Sequence, residues 1–321
     1  MTAHFPWRRV LAALLLVAAT GAGAQPSSER ALVPQQVSPH GWFVQGEAGM
    51  ASTANRGFMS NAGFVVTADG VVVFDTLGTP ALGQALLAAI ARVTPQPVRR
   101  VVVSHYHADH FYGLQPLKAA GGEVWAHRDA RRYLESPQAA ERLAQRRAEL
   151  SPWIDDRMVI VAPDVWIDGD TSFRMGGLTF RVVHAGAAHA PEDLMLYVEE
   201  DRLLFAGDLL FAGRVPFVGN ADSRGWLAAL DGMVALAPAV VVPGHGPASN
   251  RTELIAYRDM LVAVGKRVRE LVEQGNSVDE AFARYPHVFG ELTVSMVRAG
   301  SEGAFLEDAL KRTGDFLELQ E

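Results

Sequence analysis

The sequence predicts an α/β fold, built as a four-layer αβ/βα sandwich with a C-terminal helical extension. Strand-like segments come in two batches separated by helices, which favours two packed sheets over an alternating doubly wound sheet. Turn residues bound these segments, as at Asp69-Gly70, which joins two valine-rich runs. The 321 residues are 49% hydrophobic and 20% charged, as is typical of a globular protein with a large core.

The predicted elements follow from apolar periodicity and turn residues. The first batch is rich in valine and encloses an Ala/Leu-rich helix: strands at 64–67, 71–74, 100–103 and 123–126, with the helix at 81–93. A charged helix is predicted over 128–149. The second batch is short and apolar: strands at 158–161, 178–183, 194–198 and 202–205. A helix at 223–234, a buried strand at 240–242 and a helix from Thr252 to the end complete the prediction.

The two ends of the chain are predicted to lie outside the main domain. Residues 1–24 resemble a bacterial signal peptide, because two arginines precede a short apolar run and Ala22-Gly23-Ala24 offers a cleavage site. An uncleaved anchor and twin-arginine export are the alternatives to cleavage after general secretion. Residues 25–40 are predicted as a linker, 41–250 as the catalytic domain and 251–321 as a helical extension packed on it. We therefore expect a periplasmic or secreted protein with no stable membrane anchor after cleavage.

Composition excludes several function classes. The chain contains no cysteine, so it has no thiolate nucleophile, no Cys-ligated iron–sulfur cluster or zinc finger, and no disulfide. The net charge of −7 gives no electrostatic reason to expect nucleic acid as a partner. A small-molecule substrate remains the expectation.

Four potential metal ligands follow the apolar strand that ends at Val103: His105, His107, Asp109 and His110. In an extended backbone His105 and His107 project to the same side, so they can share one metal. Asp109 and His110 come after the chain turns, and they can reach a second. Ordinary surface-loop residues are the alternative interpretation, but His/Asp clusters of this density typically mark metal or catalytic sites.

This His-x-His-x-Asp-His pattern after an apolar strand resembles that of the metallo-β-lactamase superfamily. Three later segments match the family in order. Residues 188–193 resemble its Gly-His-Thr-Pro-Gly-Asp turn, 203–208 the strand that ends in a bridging carboxylate, and 241–246 the last ligand loop. The resemblance extends over residues 41–248, and it implies the metallo-β-lactamase fold.

The resemblance also implies a ligand set. It adds His189, Asp208 and His245 to the first four residues, and Asp75 matches a structural aspartate that supports the ligand loop. His184 competes with His189 for the third position, and His189 is preferred because Pro-x-Asp follows it. The other histidines are predicted to have structural, packing or surface roles: His40, His127 and His287.

By the same resemblance, two metals are bound and Asp208 bridges them. His105, His107 and His189 would hold the first metal, and Asp109, His110 and His245 the second. Nitrogen and carboxylate donors suit Zn²⁺ and also accept Fe or Mn, so two Zn²⁺ per chain are expected. Such a pair lowers the pKa of a shared water. The implied activity is a metal-dependent hydrolase in which a metal-bridging hydroxide, oriented by Asp109, attacks a carbonyl.

The substrate class follows less directly. Thioesters, esters or lactones, and lactams all present a suitable carbonyl. Residues 218–226 resemble the Gly-Asn segment of secreted β-lactamases, so Asn220 is a candidate catalytic residue, with a turn or cap role as the alternative. That subgroup has Cys at the position of Asp208 and Lys at that of Phe211, which disfavours β-lactamase activity proper.

Residues 271–281 and the overall sequence are similar to secreted hydrolases encoded with sulfur-oxidation or quinoprotein systems. Two other classes remain open. One is a mononuclear iron dioxygenase acting on persulfides, which does not require the second metal's full ligand set. The other is a non-catalytic periplasmic metal-binding protein.

Overall fold

A computed structural model describes residues 31–214, 216, 221–284 and 298. Within them the chain forms two β-sheets packed face to face, with helices outside each sheet. The predicted αβ/βα sandwich is therefore confirmed. The predicted signal peptide lies outside the described residues. No helix in the described ranges is long and apolar enough to cross a bilayer.

Among the described residues, the first sheet contains seven strands in chain order: β1 (Gln35–Gln36), β2 (Gly41–Val44), β3 (Ala62–Thr67), β4 (Gly70–Phe74), β5 (Val98–Val102), β6 (Glu123–His127) and β7 (Val165–Ile167). Strands β1 to β4 pair antiparallel, and β4 to β7 pair parallel. The carboxyl ends of β5 and β6 consequently lie at one edge of the sheet. Strand β1 also shows that this sheet begins inside the predicted linker.

The second sheet, as far as the structure describes the chain, contains five strands: β8 (Thr171–Met175), β9 (Leu178–His184), β10 (Leu194–Val198), β11 (Leu203–Phe211) and β12 (Val240–His245). Their order in space is β12-β11-β10-β9-β8, and only the β11–β12 pair is parallel. Because β9 and β11 are both antiparallel to β10, they run in the same direction. Their carboxyl ends therefore share an edge with that of β12.

In the described part of the chain, eight α-helices surround the sheets: α1 (Pro80–Val93), α2 (Ala108–Phe111), α3 (Leu114–Ala119), α4 (Arg131–Leu134), α5 (Pro137–Glu149), α6 (Ser223–Ala235), α7 (Arg251–Glu273) and α8 (Val278–Ala283). Helices α1 and α3 pack very closely, since a Cβ on Gly83 would lie 2.0 Å from the carbonyl oxygen of Gly113. Leu254 and Tyr257 bury the first turns of α7 against the second sheet and α6.

Three layers of apolar side chains hold the sandwich together. Val71 and Val73 of β4 face the outer helices, whereas Val72 and Phe74 face the second sheet. Strand β4 is thus buried on both faces, which explains why it contains no polar alternation. A third apolar layer lies between the second sheet and α6 and α7.

Three predicted elements differ from the structure. The helix predicted over 128–149 is divided, because Pro137 holds Ser136 in an extended conformation and α5 begins at the proline. The strand predicted at 158–161 is absent. Arg147 donates instead to the carbonyl of Met158, and the strand forms later, at β7.

The predicted continuous C-terminal helix ends at Glu273. Gly275 follows with φ of +87°, and a capping box at Ser277 starts α8. Residues 285–297 and 299–321 lie outside the described part of the chain, and His287 is among them.

Candidate metal centre

The loop after β5 delivers its four predicted ligands in two groups. The chain is extended through His107, which precedes the first residue of α2, and the helix then carries Asp109 and His110. The change from extended to helical backbone separates the first two imidazoles from the following carboxylate and imidazole. It reproduces the division expected from the sequence.

The first group combines this loop with the loop between β9 and β10, which carries His189, and with β11, which carries Asp208. Nδ1 of His107 lies 2.9 Å from Nε2 of His105 and 3.0 Å from Nε2 of His189. Oδ2 of Asp208 lies 3.4 Å from Nε2 of His189 and 3.8 Å from Nε2 of His105. The His189 ring makes edge contacts with the rings of Phe211 and Trp226.

The second group uses the α2 residues and the end of β12. Oδ2 of Asp109 lies 3.4 Å from Nε2 of His110 and 3.4 Å from Nε2 of His245. Asp208 faces this group as well, with Oδ1 3.1 Å from His110 and Oδ2 3.4 Å from His245. A single carboxylate therefore lies between the two groups.

These residues fit a pair of metal ions. Donor atoms bound tetrahedrally to zinc at about 2.0–2.1 Å lie roughly 3.3–3.4 Å apart, close to most of the separations measured. Nε2 of His110, Nε2 of His245 and Oδ1 of Asp208 are buried without a hydrogen-bond partner, although they lie within ion-pair distance of neighbouring donor atoms. Cations between these atoms would satisfy all three.

A set of hydrogen bonds orients the imidazoles. Oδ2 of Asp75 lies 2.9 Å from Nδ1 of His110, and the same residue accepts from the backbone N–H and hydroxyl of Ser104. Oγ of Ser104 lies 2.9 Å from Nδ1 of His105, and Nδ1 of His245 lies 2.8 Å from the carbonyl oxygen of Met59. Such partners fix which ring nitrogen faces the metal.

Burial and neighbouring charges shift the pKa values of the buried histidines in opposite directions in the two groups. In the first group, burial lowers the pKa of His105 well below its ordinary value and that of His189 to about 3, so both rings are neutral at pH 7. In the second group, burial alone would lower the pKa of His110 and His245, but the surrounding carboxylates outweigh it and raise both. Without a metal, the two histidines of the second group therefore bind protons more readily than a free histidine does.

The carboxylates are held in their charged form. Burial by itself raises the pKa of Asp208, but His110 and His245 outweigh it and hold the pKa well below its usual range. The pKa of Asp109 is lowered for the same reason, again against burial. Both side chains consequently offer negative charge to a cation.

The predicted residues have three outcomes. The structure brings together His105, His107, Asp109, His110, His189, Asp208 and His245. Asn220 lies outside the described residues, so its role stays a prediction. His184 is not in the centre, and its ring stacks instead on that of His127.

A cavity of about 310 Å³ adjoins the centre at His107. No sequence pattern indicates this cavity, because helices α4 and α5 supply part of its wall and their position depends on tertiary packing. Its lining is a mixture of aromatic, cationic, acidic and neutral polar side chains: Tyr106, Asp129, Arg132, Tyr133, Gln138, Arg142 and Glu192. Glu192 is buried there, and its Oε1 accepts from the backbone N–H of Tyr106.

Comparison with known families agrees with this geometry. The sequence profile of the metallo-beta-lactamase superfamily matches residues 55–245, which include all the residues of the centre. The chain belongs to the metallo-β-lactamase superfamily.

Two of the curated relatives of this superfamily member are hydrolases by name. It is 22% identical over 262 residues to a linear primary-alkylsulfatase from Pseudomonas sp., covering 69% of this chain and 49% of the relative. It is 23% identical over 207 residues to a metallo-beta-lactamase type 2 from Bacillus cereus, covering 63% of this chain and 73% of the relative. The chain thus spans about half the length of the alkylsulfatase.

Solved structures show the same fold. A metallo-beta-lactamase from Pontibacter korlensis superposes with a TM-score of 0.56 at 24% identity, covering 72% of this chain and 98% of that one. The sec-alkylsulfatase Pisa1 from Pseudomonas sp. gives 0.62 at 20% identity, covering 78% of this chain and 45% of that one.

The C-terminal end matches a second family. The profile of Type II secretion system protein F matches residues 258–321. The corresponding protein of Vibrio cholerae serotype O1 is 39% identical over 70 residues, which is 22% of this chain and 16% of the relative. The sequence pattern predicts only a helical extension there.

Proposed function

We propose that this member of the superfamily is a periplasmic or secreted dinuclear zinc hydrolase. Its substrate would be a small molecule cleaved at a carbonyl: a thioester, an ester or lactone, or a lactam. The observation that supports this proposal is the position of Asp208, whose carboxylate faces both ligand groups at 3.1–3.4 Å.

The donor set favours zinc. It consists of imidazole nitrogens and carboxylate oxygens without sulfur, which suit Zn²⁺, although Fe and Mn accept the same donors. When bound, two such cations lower the pKa of a shared water towards neutrality and polarise a carbonyl.

The side chains of the chain itself set the charge of the centre. The first group supplies neutral imidazoles, because burial depresses their pKa values. Asp109 and Asp208 supply negative charge that balances only part of the charge of two divalent cations. The remaining positive charge suits a site that must stabilise an oxyanion developing in the transition state.

Asp109 is placed to orient the nucleophile. Its Oδ2 lies 3.4 Å from the facing nitrogens of both His110 and His245, at the wall of the second group. It is the least buried member of that group, at 8% exposure. A carboxylate in this position can accept a hydrogen bond from water and so orient the water as a nucleophile.

Sulfate-ester hydrolysis is the second candidate. It is favoured by one observation, the similarity to a linear primary-alkylsulfatase along 69% of this chain. A sulfate ester also places developing negative charge beside the cations, so the same excess of positive charge would serve it.

An assay panel with metal analysis tests both candidates. Zinc-loaded protein is given a thioester, a lactone, a chromogenic β-lactam, a phosphoester and a primary alkyl sulfate, and bound metals are counted. Turnover of a carbonyl substrate supports the proposal, and turnover of the alkyl sulfate alone supports the second candidate. A single bound iron with oxygen uptake on a persulfide would overturn both, as would zinc binding without turnover of any compound.

A further inference from the structure

A second cluster of metal-type donors lies outside the centre. His127 ends β6 and His184 ends β9, and Asp129 follows two residues after His127. The two strands belong to different sheets, so the cluster forms only where the sheet edges meet. None of the three residues belongs to the seven that form the candidate metal centre.

The three side chains converge. One ring nitrogen of each histidine and one carboxylate oxygen of Asp129 all lie within 4.8 Å of one another. The imidazole rings are stacked, with centroids 3.6 Å apart and an interplanar angle of 13°. His127 is only 3% exposed, and its Nε2 is buried without a hydrogen bond of good geometry.

Apolar packing does not explain this arrangement. Stacked imidazoles repel each other when both are protonated, and here burial and the neighbouring His184 lower the pKa of His127. At least one ring is therefore neutral and offers a lone pair. Two nearby acids add negative electrostatic potential. Asp170 accepts a hydrogen bond from the backbone N–H of His184. Asp168, which forms an ion pair with Arg128, acts to raise the pKa of His127.

We propose that His127, Asp129 and His184 form a third metal site, which binds one divalent transition-metal ion of the zinc type. Two imidazoles and one carboxylate are a donor set that zinc accepts, with solvent completing the coordination. None of the three residues is a ligand of the candidate dinuclear centre, so this site is separate from the pair.

Hydrogen bonds favour Nδ1 as the donor atom of both rings. Nδ1 of His127 lies 3.7 Å from Oδ2 of Asp129. Nε2 of His184 lies 3.4 Å from the carbonyl oxygen of Pro191, which leaves its Nδ1 for a metal. Donation from the second ring nitrogen to a backbone carbonyl is common among metal-bound histidines.

Binding requires a small rearrangement. A metal lies close to the plane of each imidazole that ligates it, so the parallel rings must open. His184 is half-buried whereas His127 is buried, and rotation of the His184 ring therefore accomplishes this. The backbone N–H of Asp129 lies 3.3 Å from Nδ1 of His127, a long hydrogen bond that a metal would replace.

The site also adjoins the cavity. Asp129 lines that cavity and lies 3.5 Å from Arg132, another of its lining residues. A metal that engages Asp129 would weaken this ion pair. Metal binding at the third site would therefore change the contacts of Arg132 in the wall of the cavity beside His107.

Zinc stoichiometry of the full chain tests the proposal. Metal-depleted protein is titrated with Zn²⁺ by calorimetry, and bound zinc is counted after removal of excess. We expect the native chain to bind three zinc ions and His184→Ala to bind two. Asp129→Asn should lower the affinity for the third ion by at least tenfold. Asp156→Asn, which alters a fully exposed carboxylate, should still bind three.

The result separates this proposal from the dinuclear one. His245→Ala should lose an ion of the centre and keep the third ion, whereas His184→Ala should do the reverse. Two ions in the native chain, with no change in His184→Ala, would overturn the third site and leave the dinuclear centre intact. Circular dichroism of each variant establishes that it is folded before zinc is counted.

Discussion

Oδ2 of Asp75 lies 2.9 Å from Nδ1 of His110, although 35 positions separate the two residues. Asp75 follows β4 and is buried with φ of +60°, so its carboxylate is directed into the ligand loop after β5. It accepts from the backbone and the hydroxyl of Ser104 as well. One side chain thus fixes the loop and the ring of a candidate ligand.

Replacing Asp75 with Asn should weaken metal binding without removing a ligand. The Asn side chain has one accepting oxygen and one donating nitrogen, so its two end atoms cannot both accept hydrogen bonds from Ser104 and His110. The His110 ring therefore loses its orientation. Zinc affinity at the second group should fall by about 10- to 100-fold, the usual effect of losing such a partner. A calorimetric zinc titration measures it, with Asp156→Asn as control. Unchanged affinity would show that backbone geometry alone positions His110.

His189 and His184 should differ sharply in their contribution to catalysis. His189→Ala should abolish hydrolysis and remove metal from the first group, because its Nε2 contacts both His107 and Asp208. His184→Ala should keep most of the hydrolytic activity, since its ring stacks on His127 outside the centre. Steady-state kinetics on the substrate found by the panel measure both. The reverse result would mean that His184 is the third ligand.

The sequence predicted the centre better than its surroundings, for a physical reason. His105, His107, Asp109 and His110 are local in sequence, and their spacing alone determines how an extended segment followed by a helix presents them. The stacking of His127 on His184 depends on how two sheets meet. No local pattern contains that information, so His127 was assigned a structural role.

Competing interactions explain the wrong strand and the wrong helix. Residues 158–161 are apolar enough for a strand, but Arg147 and Lys118 bind carbonyl groups at Met158 and Ala162 and so replace strand pairing. Pro137 divides the long charged helix although the residues on either side favour helix. The proline was visible in the sequence, whereas the arginine contact was not.

Zinc binding to the two groups should depend differently on pH. His110 and His245 have raised pKa values, so below those values a metal entering the second group must displace protons. Each displaced proton weakens the apparent affinity by about tenfold per pH unit as the pH falls. Zinc binding to the first group should depend less on pH around neutrality, because His105 and His189 have lowered pKa values. Zinc titrations from pH 5.5 to about 8 measure the two slopes, and equal slopes would contradict the assignment.

Asp208→Asn should reduce kcat by at least about 100-fold, which corresponds to some 2.7 kcal/mol of barrier. The amide keeps the shape of the side chain but removes the charge that faces both groups, so the second metal binds more weakly. Excess zinc should restore activity only in part, because orientation is lost as well as occupancy. The measurement is kcat against zinc concentration for the variant and the native chain. Full activity at saturating zinc would show that Asp208 does not bridge the metals.

Gly244→Ala should displace Asp208 and so reduce the activity of the centre. A Cβ at Gly244 would lie 1.9 Å from Oδ1 of Asp208 and 2.9 Å from the Asp208 backbone nitrogen, so either the carboxylate or the backbone of β11 must move. Movement of Asp208 separates the two ligand groups. We expect kcat to fall by at least about tenfold, roughly 1.4 kcal/mol of barrier, together with a lower free energy of unfolding.

A matched control separates this close contact from the general effect of replacing a glycine. Gly232 is exposed in α6, and a Cβ there meets nothing within 4 Å. Gly232→Ala should leave kcat unchanged and raise the free energy of unfolding by about 0.5–1 kcal/mol, because alanine favours helix over glycine. Urea denaturation and steady-state kinetics on both variants make the comparison. If Gly244→Ala behaved like Gly232→Ala, the close approach of β12 to Asp208 would have no part in positioning the carboxylate.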